Sequence, residues 1–334
     1  VSVENLSFSY DNEPVLENIS FTVEPGEFVI FYIKALNQRE GKMIFEGSAA
    51  AVVTPMAENG AIDFEAMGKL LEFQLENGTD AIVVNGTTGE SSTLRDEEKY
   101  KLIEFTVKRV HGRVPVIAGA GSNNTAHAVE LSKKAQELGA DGLLEVTPYY
   151  NKTSQKGLIA HFTAVADSVS IPVILYHVPS RTGMTMEPET CKVLSQHPNI
   201  QAVKEAGGNI SHVARIASLC GEDLDIYSGN DDQTVPVLSL GGKGVISVLA
   251  NIMPRETHEM CRLFLNGQEK ESLGLQLDLL DLMNALFLDV NPVPVKAALS
   301  LMGMCGENYR LPLIRMSAAD KAKLTETLKR HSLI

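Results

Sequence analysis

An amine, a set of hydroxyls and a guanidinium recur at the ends of short apolar runs in this chain. Lys204 closes the run Ile200-Gln-Ala-Val-Lys-Glu-Ala206, which reads as a mostly apolar strand. Apolar surroundings withhold the solvation that favours an ammonium. A neutral amine attacks carbonyl carbon, the first requirement of Schiff-base chemistry. An edge lysine whose head group reaches water is the alternative for this stretch alone. Asn85-Gly-Thr-Thr-Gly-Glu-Ser91 sets Thr87 and Thr88 between glycines, where hydroxyls and close backbone N–H groups suit a carboxylate, or else cap the next helix. Thr147-Pro-Tyr-Tyr-Asn151 and Tyr176-His-Val-Pro-Ser-Arg-Thr-Gly183 add Tyr149, Tyr150, Tyr176, His177 and Arg181. A buried tyrosine relays a proton or simply packs. His177 is a candidate base or a neutral packing or surface residue, and Arg181 forks onto a carboxylate or lies on the surface.

Each of these groups stands at the end of a different predicted strand, and that shared placement gives the set its meaning. Strands are predicted at 49–55, 81–85, 114–118, 142–147, 172–177, 200–204, 224–228 and 244–249, with helical patterns at 63–77, 95–111, 125–138, 188–197 and 210–220 between them. Thr93-Leu-Arg-Asp96 has the form of a capped helix start. Val- and Ile-rich strands that alternate with helices imply a parallel sheet covered by helices. Eight such units fit a closed (β/α)8 TIM barrel better than an open doubly wound sheet, and reactive groups of such barrels gather at the strand C-termini. No Gly-x-Gly-x-x-Gly follows the first strand, which counts against a dinucleotide fold. From about residue 255 a helical region follows, interrupted at Asn291-Pro-Val-Pro294 and Leu311-Pro312, and is read as several packed helices.

The chain of 334 residues is 44% hydrophobic and 21% charged, the balance of a folded enzyme. Its net charge of −13 argues against nucleic acid or an anionic membrane surface as partner. Four cysteines at 191, 220, 261 and 305 have no paired spacing and read as buried free thiols. No run of 18 apolar residues suggests a membrane span, and no signal-peptide pattern opens the sequence, so a cytoplasmic location is expected.

The expected organisation is an appended segment, 1–42, and a barrel domain, 43–334, whose barrel occupies about 43–266 and whose C-terminal helices occupy about 267–334. Residues 1–30 alternate like two strands around Asp11-Asn-Glu-Pro14. They resemble the start of an ABC-transporter ATPase domain, including Tyr10, which in that family stacks on adenine. The resemblance stops after Gly26-Glu-Phe-Val-Ile30, and the chain has no Gly-x-x-x-x-Gly-Lys-Ser/Thr to cradle phosphates. ATP hydrolysis is therefore not expected.

From Met43 onward the chain resembles the dihydrodipicolinate synthase family of the pyruvate-dependent aldolase superfamily. Five motifs carry the resemblance: Gly86-Thr-Thr-Gly-Glu-Ser91, Val146-Thr-Pro-Tyr-Tyr-Asn151, Tyr176-His-Val-Pro-Ser-Arg-Thr-Gly183, Val203-Lys-Glu-Ala206 and Gly244-Val-Ile-Ser247. The Ser-Arg-Thr-Gly stretch favours the synthase over the N-acetylneuraminate lyase branch. His177 stands where many members carry asparagine. The resemblance implies a cofactor-free, metal-free condensation of pyruvate with L-aspartate 4-semialdehyde in lysine biosynthesis. Lys204 would form the imine and Tyr176 relay protons, with Thr87 linking it to a Tyr150 from a neighbouring subunit. Thr88 would hold the pyruvate carboxylate and Arg181 that of the semialdehyde, while Gly229 and Ile246 line the pocket. A homotetramer is implied by the same resemblance.

Other expectations compete with this one: another pyruvate-dependent class I aldolase acting on a sugar-derived aldehyde, such as N-acetylneuraminate lyase or a keto-deoxy sugar acid aldolase, or a non-catalytic binding protein on the same barrel. Some members of the family bind L-lysine as an inhibitor, using a glutamate and histidines at a subunit interface. The corresponding positions here carry His127, Asp96 and Lys99, although Ser91, Asn123 and Tyr149 are kept, so insensitivity to L-lysine is expected.

Overall fold

A computed structural model describes residues 2–10, 13–22 and 43–334. The chain divides into two compact units, Val1–Glu40 and Gly41–Ile334. In the first, β1 (Ser2–Tyr10) and β2 (Glu13–Thr22) pair as an antiparallel hairpin, from Ser2↔Thr22 to Tyr10↔Glu13. The turn residues Asp11 and Asn12 and the stretch Gly26-Glu-Phe-Val-Ile30 lie outside the described residues, as does the side chain of Tyr10.

The second unit is the expected (β/α)8 TIM barrel. Its strands are β3 (Gly47–Ala51), β4 (Ala81–Val84), β5 (Val116–Gly119), β6 (Gly142–Val146), β7 (Val173–His177), β8 (Ile200–Glu205), β9 (Asp225–Ser228) and β10 (Gly244–Ser247). All are parallel, and β10 closes onto β3 through Gly244↔Gly47 to Ser247↔Ala50. The two glycines make that closure possible, since a Cβ on Gly244 would fall 1.8 Å from the Gly47 carbonyl oxygen. The first strand starts two residues earlier than the sequence pattern suggests and ends at Ala51. Beyond it, Val53 N–H is held by the Asn251 side chain at 3.0 Å, not by a strand ladder.

Helices follow the strands: α1 (Phe64–Glu76), α2 (Asp96–Val110), α3 (Thr125–Glu137), α4 (Gln155–Ala166), the short α5 (Pro179–Thr182), α6 (Pro188–Leu194), α7 (Ile210–Cys220), α8 (Thr234–Ser239) and α9 (Pro254–Leu265). Beyond the barrel come α10 (Glu269–Asp278), α11 (Leu280–Ala285), α12 (Val293–Leu301) and α13 (Ala318–Arg330). Asp63, Asn124, Ser154 and Asn209 cap their helices by accepting backbone N–H groups of the first turn. Thr93 does not cap α2. It ends a 3-10 turn, its hydroxyl donating to the Glu90 carbonyl at 3.0 Å, and the cap position falls on Arg95, whose N–H donates to the Glu98 carboxylate at 2.9 Å.

Alternation along the strands separates two cores. Ala49, Ala51, Val83, Ile174, Tyr176, Ala202, Tyr227 and Ile246 fill the lumen. Ala50, Val84, Leu175 and Val203 face the helix layer. Phe45 stacks on Tyr227 with ring centroids 4.2 Å apart, and Tyr227 Oη donates to the Phe45 carbonyl at 2.6 Å, sealing the lumen at the N-terminal end of β3. Cys191, Cys220 and Cys261 are buried free thiols, as expected, and Cys305 is a half-buried one. Among the described residues no helix is long and apolar enough to cross a membrane.

Candidate active site

Lys204 and Tyr176 are direct neighbours across the β7–β8 ladder, and Tyr227 is the partner of Lys204 on β9. Period-two alternation from Ala202 and Ile174 turns both side chains into the lumen near the strand C-termini. Both are buried, at 6% and 7% exposure, and Nζ of Lys204 lies 4.5 Å from the Tyr176 ring centroid. The lysine is therefore an interior residue, not an edge lysine reaching water. Gly229 packs on its stem, where a Cβ would stand 3.0 Å from Lys204 Cε and 2.6 Å from the Ala206 methyl. Ile246 is fully buried on β10 in the same luminal cluster.

Above this floor opens a cavity of about 680 Å³ whose wall includes Thr87, Tyr176, Val178 and Arg181. Lys204, Thr88, Tyr150, Gly229 and Ile246 are not on that wall. Thr88 is buried at 3% exposure and its hydroxyl accepts from Asn291 Nδ2 at 3.0 Å. Arg181 donates from Nη2 to the carbonyl of the same Asn291 at 3.2 Å. The loop that carries the threonines is anchored from below. Glu90, at a left-handed φ of 56°, forms a fully buried ion pair with Lys296 of α12 at 2.6 Å and accepts the Arg310 N–H at 3.2 Å. The helices after the barrel thus hold one edge of the site.

Tyr150 does not join the others within its own chain. It is 94% exposed and held at a φ of 68°, unusual for a bulky residue. His177 is neither a surface residue nor a base facing Lys204. It is 2% exposed, behind the barrel wall, with Nδ1 2.7 Å from Glu205 Oε2. Sequence reasoning missed two polar groups here. Asn291 lies 203 residues from Thr88 and nothing in its local sequence marks it as a site residue. Asp231 is a fully buried carboxylate whose electrostatic neighbours include Lys204. Burial raises its carboxyl above the usual range, opposed by the Ser247 hydroxyl, the Leu249 and Val248 N–H groups and the charge of Lys204.

A second cluster lines the same cavity. Asp96 Oδ1 accepts from Lys99 Nζ at 3.1 Å and Oδ2 from His127 Nε2 at 2.8 Å, with Ser122 Oγ 3.2 Å from His127 Nδ1. Partial burial alone would raise the Asp96 carboxyl, but the bonds from His127 and Lys99 outweigh it and hold it below its ordinary value.

The model of the dihydrodipicolinate synthetase family matches residues 44–331. The chain belongs to that family. A 4-hydroxy-tetrahydrodipicolinate synthase of Caldicellulosiruptor saccharolyticus is 60% identical over 285 residues, covering 85% of this chain and 96% of that protein. The crystal structure of dihydrodipicolinate synthase from Aquifex aeolicus superposes with a TM-score of 0.85 at 48% identity, covering 86% of this chain and 99% of that one. The synthase from Cyanidioschyzon merolae with lysine bound gives 0.85 at 42% identity, covering 88% and 100%. The chain is accordingly an enzyme, a lyase of the 4-hydroxy-tetrahydrodipicolinate synthase class, which serves lysine biosynthesis by the diaminopimelate route.

Proposed function

We propose that this chain condenses pyruvate with L-aspartate 4-semialdehyde through an imine on Lys204. The observation that carries the reading is a buried primary amine at the C-terminal mouth of a barrel, 4.5 Å from the ring of a buried tyrosine. Lys204 Nζ attacks the pyruvate ketone and water leaves, giving an iminium. The iminium draws electrons from the methyl C–H bond, a proton leaves, and the enamine carbon bonds to the aldehyde carbon. The amino group of the semialdehyde then attacks the imine carbon, closes the ring and expels Nζ.

Tyr176 carries the protons of these steps, with Thr87 beside it on the cavity wall. Thr88 receives the pyruvate carboxylate and Arg181 the carboxylate of the semialdehyde; the shared attachment of both to Asn291 supports a common site. Gly229, packed on the Lys204 stem, and Ile246, in the luminal cluster below the cavity wall, border the imine through main-chain atoms. Tyr150 acts in the site of a neighbouring subunit within a tetramer, a role its near-complete exposure in its own chain supports. The Asp96–Lys99–His127 cluster offers no free carboxylate to an ammonium, which favours insensitivity to L-lysine.

Borohydride reduction in the presence of pyruvate tests the assignment. One pyruvate-derived mass is expected on the peptide that contains Lys204, and labelling of another lysine would refute it.

A further inference from the structure

Three side chains that the condensation does not use converge behind the barrel wall. Tyr176 and Lys204 face the lumen, so the next register pair, His177↔Glu205, faces the helix layer. Opposite them stands His212, in the first turn of α7. Asn209 fixes that turn, accepting from the N–H groups of Ser211 and His212 at 3.0 and 3.3 Å.

The two imidazoles converge on a single carboxylate oxygen. Glu205 Oε2 is 2.7 Å from His177 Nδ1 and 3.7 Å from His212 Nε2. The other oxygen, Oε1, accepts the Gly207 N–H at 2.6 Å. The side chains are 3%, 2% and 13% exposed for His177, Glu205 and His212. One donor atom from each lies within 4.8 Å of the other two. His212 stacks on His177 with ring centroids 5.0 Å apart, and Nε2 of each imidazole is buried here without a hydrogen bond.

A cation gives all three a common partner. Tetrahedral zinc with ligands at about 2.0–2.1 Å sets neighbouring ligand atoms roughly 3.3 Å apart. The two separations from Oε2 fall on either side of that spacing. Two imidazoles and one carboxylate suit a borderline transition ion, whereas calcium and magnesium prefer oxygen alone. Gly207 holds the free carboxylate oxygen and leaves Oε2 for the ion. A Cβ at Gly207 would fall 2.6 Å from Oε1 and 3.3 Å from His177 Cε1, so the loop comes this close only as glycine. Gly207, Gly208 and Asn209 are exposed and give the ion a way in.

We propose that His177, Glu205 and His212 form a three-ligand site for a zinc-class divalent cation, with water as fourth ligand. The ion would tie α7 to the strand pair that carries Tyr176 and Lys204.

The test uses the untagged full chain, stripped with EDTA and titrated with Co²⁺. One equivalent should develop the intense visible absorption of four-coordinate cobalt, and Zn²⁺ should bleach it. His212→Gln and His177→Asn should each weaken binding by about ten-fold or more, loss of a ligand costing at least as much as loss of a group supporting one. Both should keep the melting temperature of the stripped protein. If one variant does not fold, the other decides. Absence of a four-coordinate spectrum at millimolar Co²⁺, or full retention of binding by either folded variant, overturns the site.

Discussion

Asn291 donates from Nδ2 to the Thr88 hydroxyl at 3.0 Å, joining the loop after β4 to the segment just before α12. The bond leaves the Thr88 hydroxyl hydrogen free to turn toward a ligand, because Oγ1 is the acceptor. Asn291→Ala should therefore raise KM for pyruvate more than it lowers kcat. A neutral hydrogen bond contributes about 1 kcal/mol, roughly five-fold in affinity. Combined with Thr88→Val it should cost no more than the worse single change, and additive losses in steady-state kinetics would show that the two act separately.

The two tyrosines should separate in their dependence on assembly. Tyr176→Phe is expected to permit imine formation while slowing turnover by about 10²–10⁴-fold, the usual range for a proton relay. Tyr150→Phe should slow turnover as well, although its hydroxyl stands in solvent in the isolated chain. Mixing Tyr150→Phe with an inactive Lys204→Ala protein, under conditions that exchange subunits, should restore part of the activity. No recovery, with exchange verified by native mass spectrometry, would count against a shared tyrosine.

Glu145 predicts a pH dependence of stability. It is fully buried on β6, and Ser132 Oγ donates to its Oε1 at 3.0 Å. Burial pushes its carboxyl up to about 8, only partly opposed by the Ser132 bond. The unfolded chain ionises the same group near 4.5. Between these values the folded state holds one more proton than the unfolded state. Stability therefore falls as pH rises through that window, by about 1 kcal/mol per pH unit, and the effect is absent below it. Glu145→Gln keeps the shape of the protonated acid and removes the slope. Its melting temperature should match the parent near the lower limit and exceed it increasingly toward the upper one.

L-Lysine should not inhibit at millimolar concentration. Lys99 repels an ammonium, and His127 occupies the carboxylate of Asp96 that would otherwise receive one. Losing a charge-assisted contact costs about 1.5–3 kcal/mol, ten-fold or more in affinity. His127→Glu should move an inhibition midpoint downward. A sub-millimolar midpoint for the unaltered chain would refute the expectation.

A chain beginning at Met43 should keep both turnover and melting temperature. The family match begins at residue 44, and a two-stranded hairpin cannot bury a core of its own. Calorimetry and steady-state assays of the two lengths make the comparison, and a large loss of either property would show that residues 1–42 support the barrel.

Local chemistry alone fixed a good deal of this protein. Val- and Ile-rich runs and the helices between them gave eight strands, because apolar periodicity reports burial without knowledge of the partner. Asp63, Asn124, Ser154 and Asn209 cap their helices with side chains that bond within three residues of themselves, a local signal that the apolar pattern alone passed over, while Thr93, the start it did mark, caps nothing. The strand-end positions of Lys204 and Tyr176 were also legible, and alternation turned both inward. Barrel closure decided the rest. It set Nζ of Lys204 beside the Tyr176 ring, brought Asn291 to Thr88 across 203 positions, and gathered His177, Glu205 and His212 from three elements. It left Tyr150 in solvent, a position that the sequence around it does not reveal. A polar residue's role depends on which groups share its low-dielectric surroundings, and those neighbours are chosen by strand register and helix packing over distances that no sequence window spans.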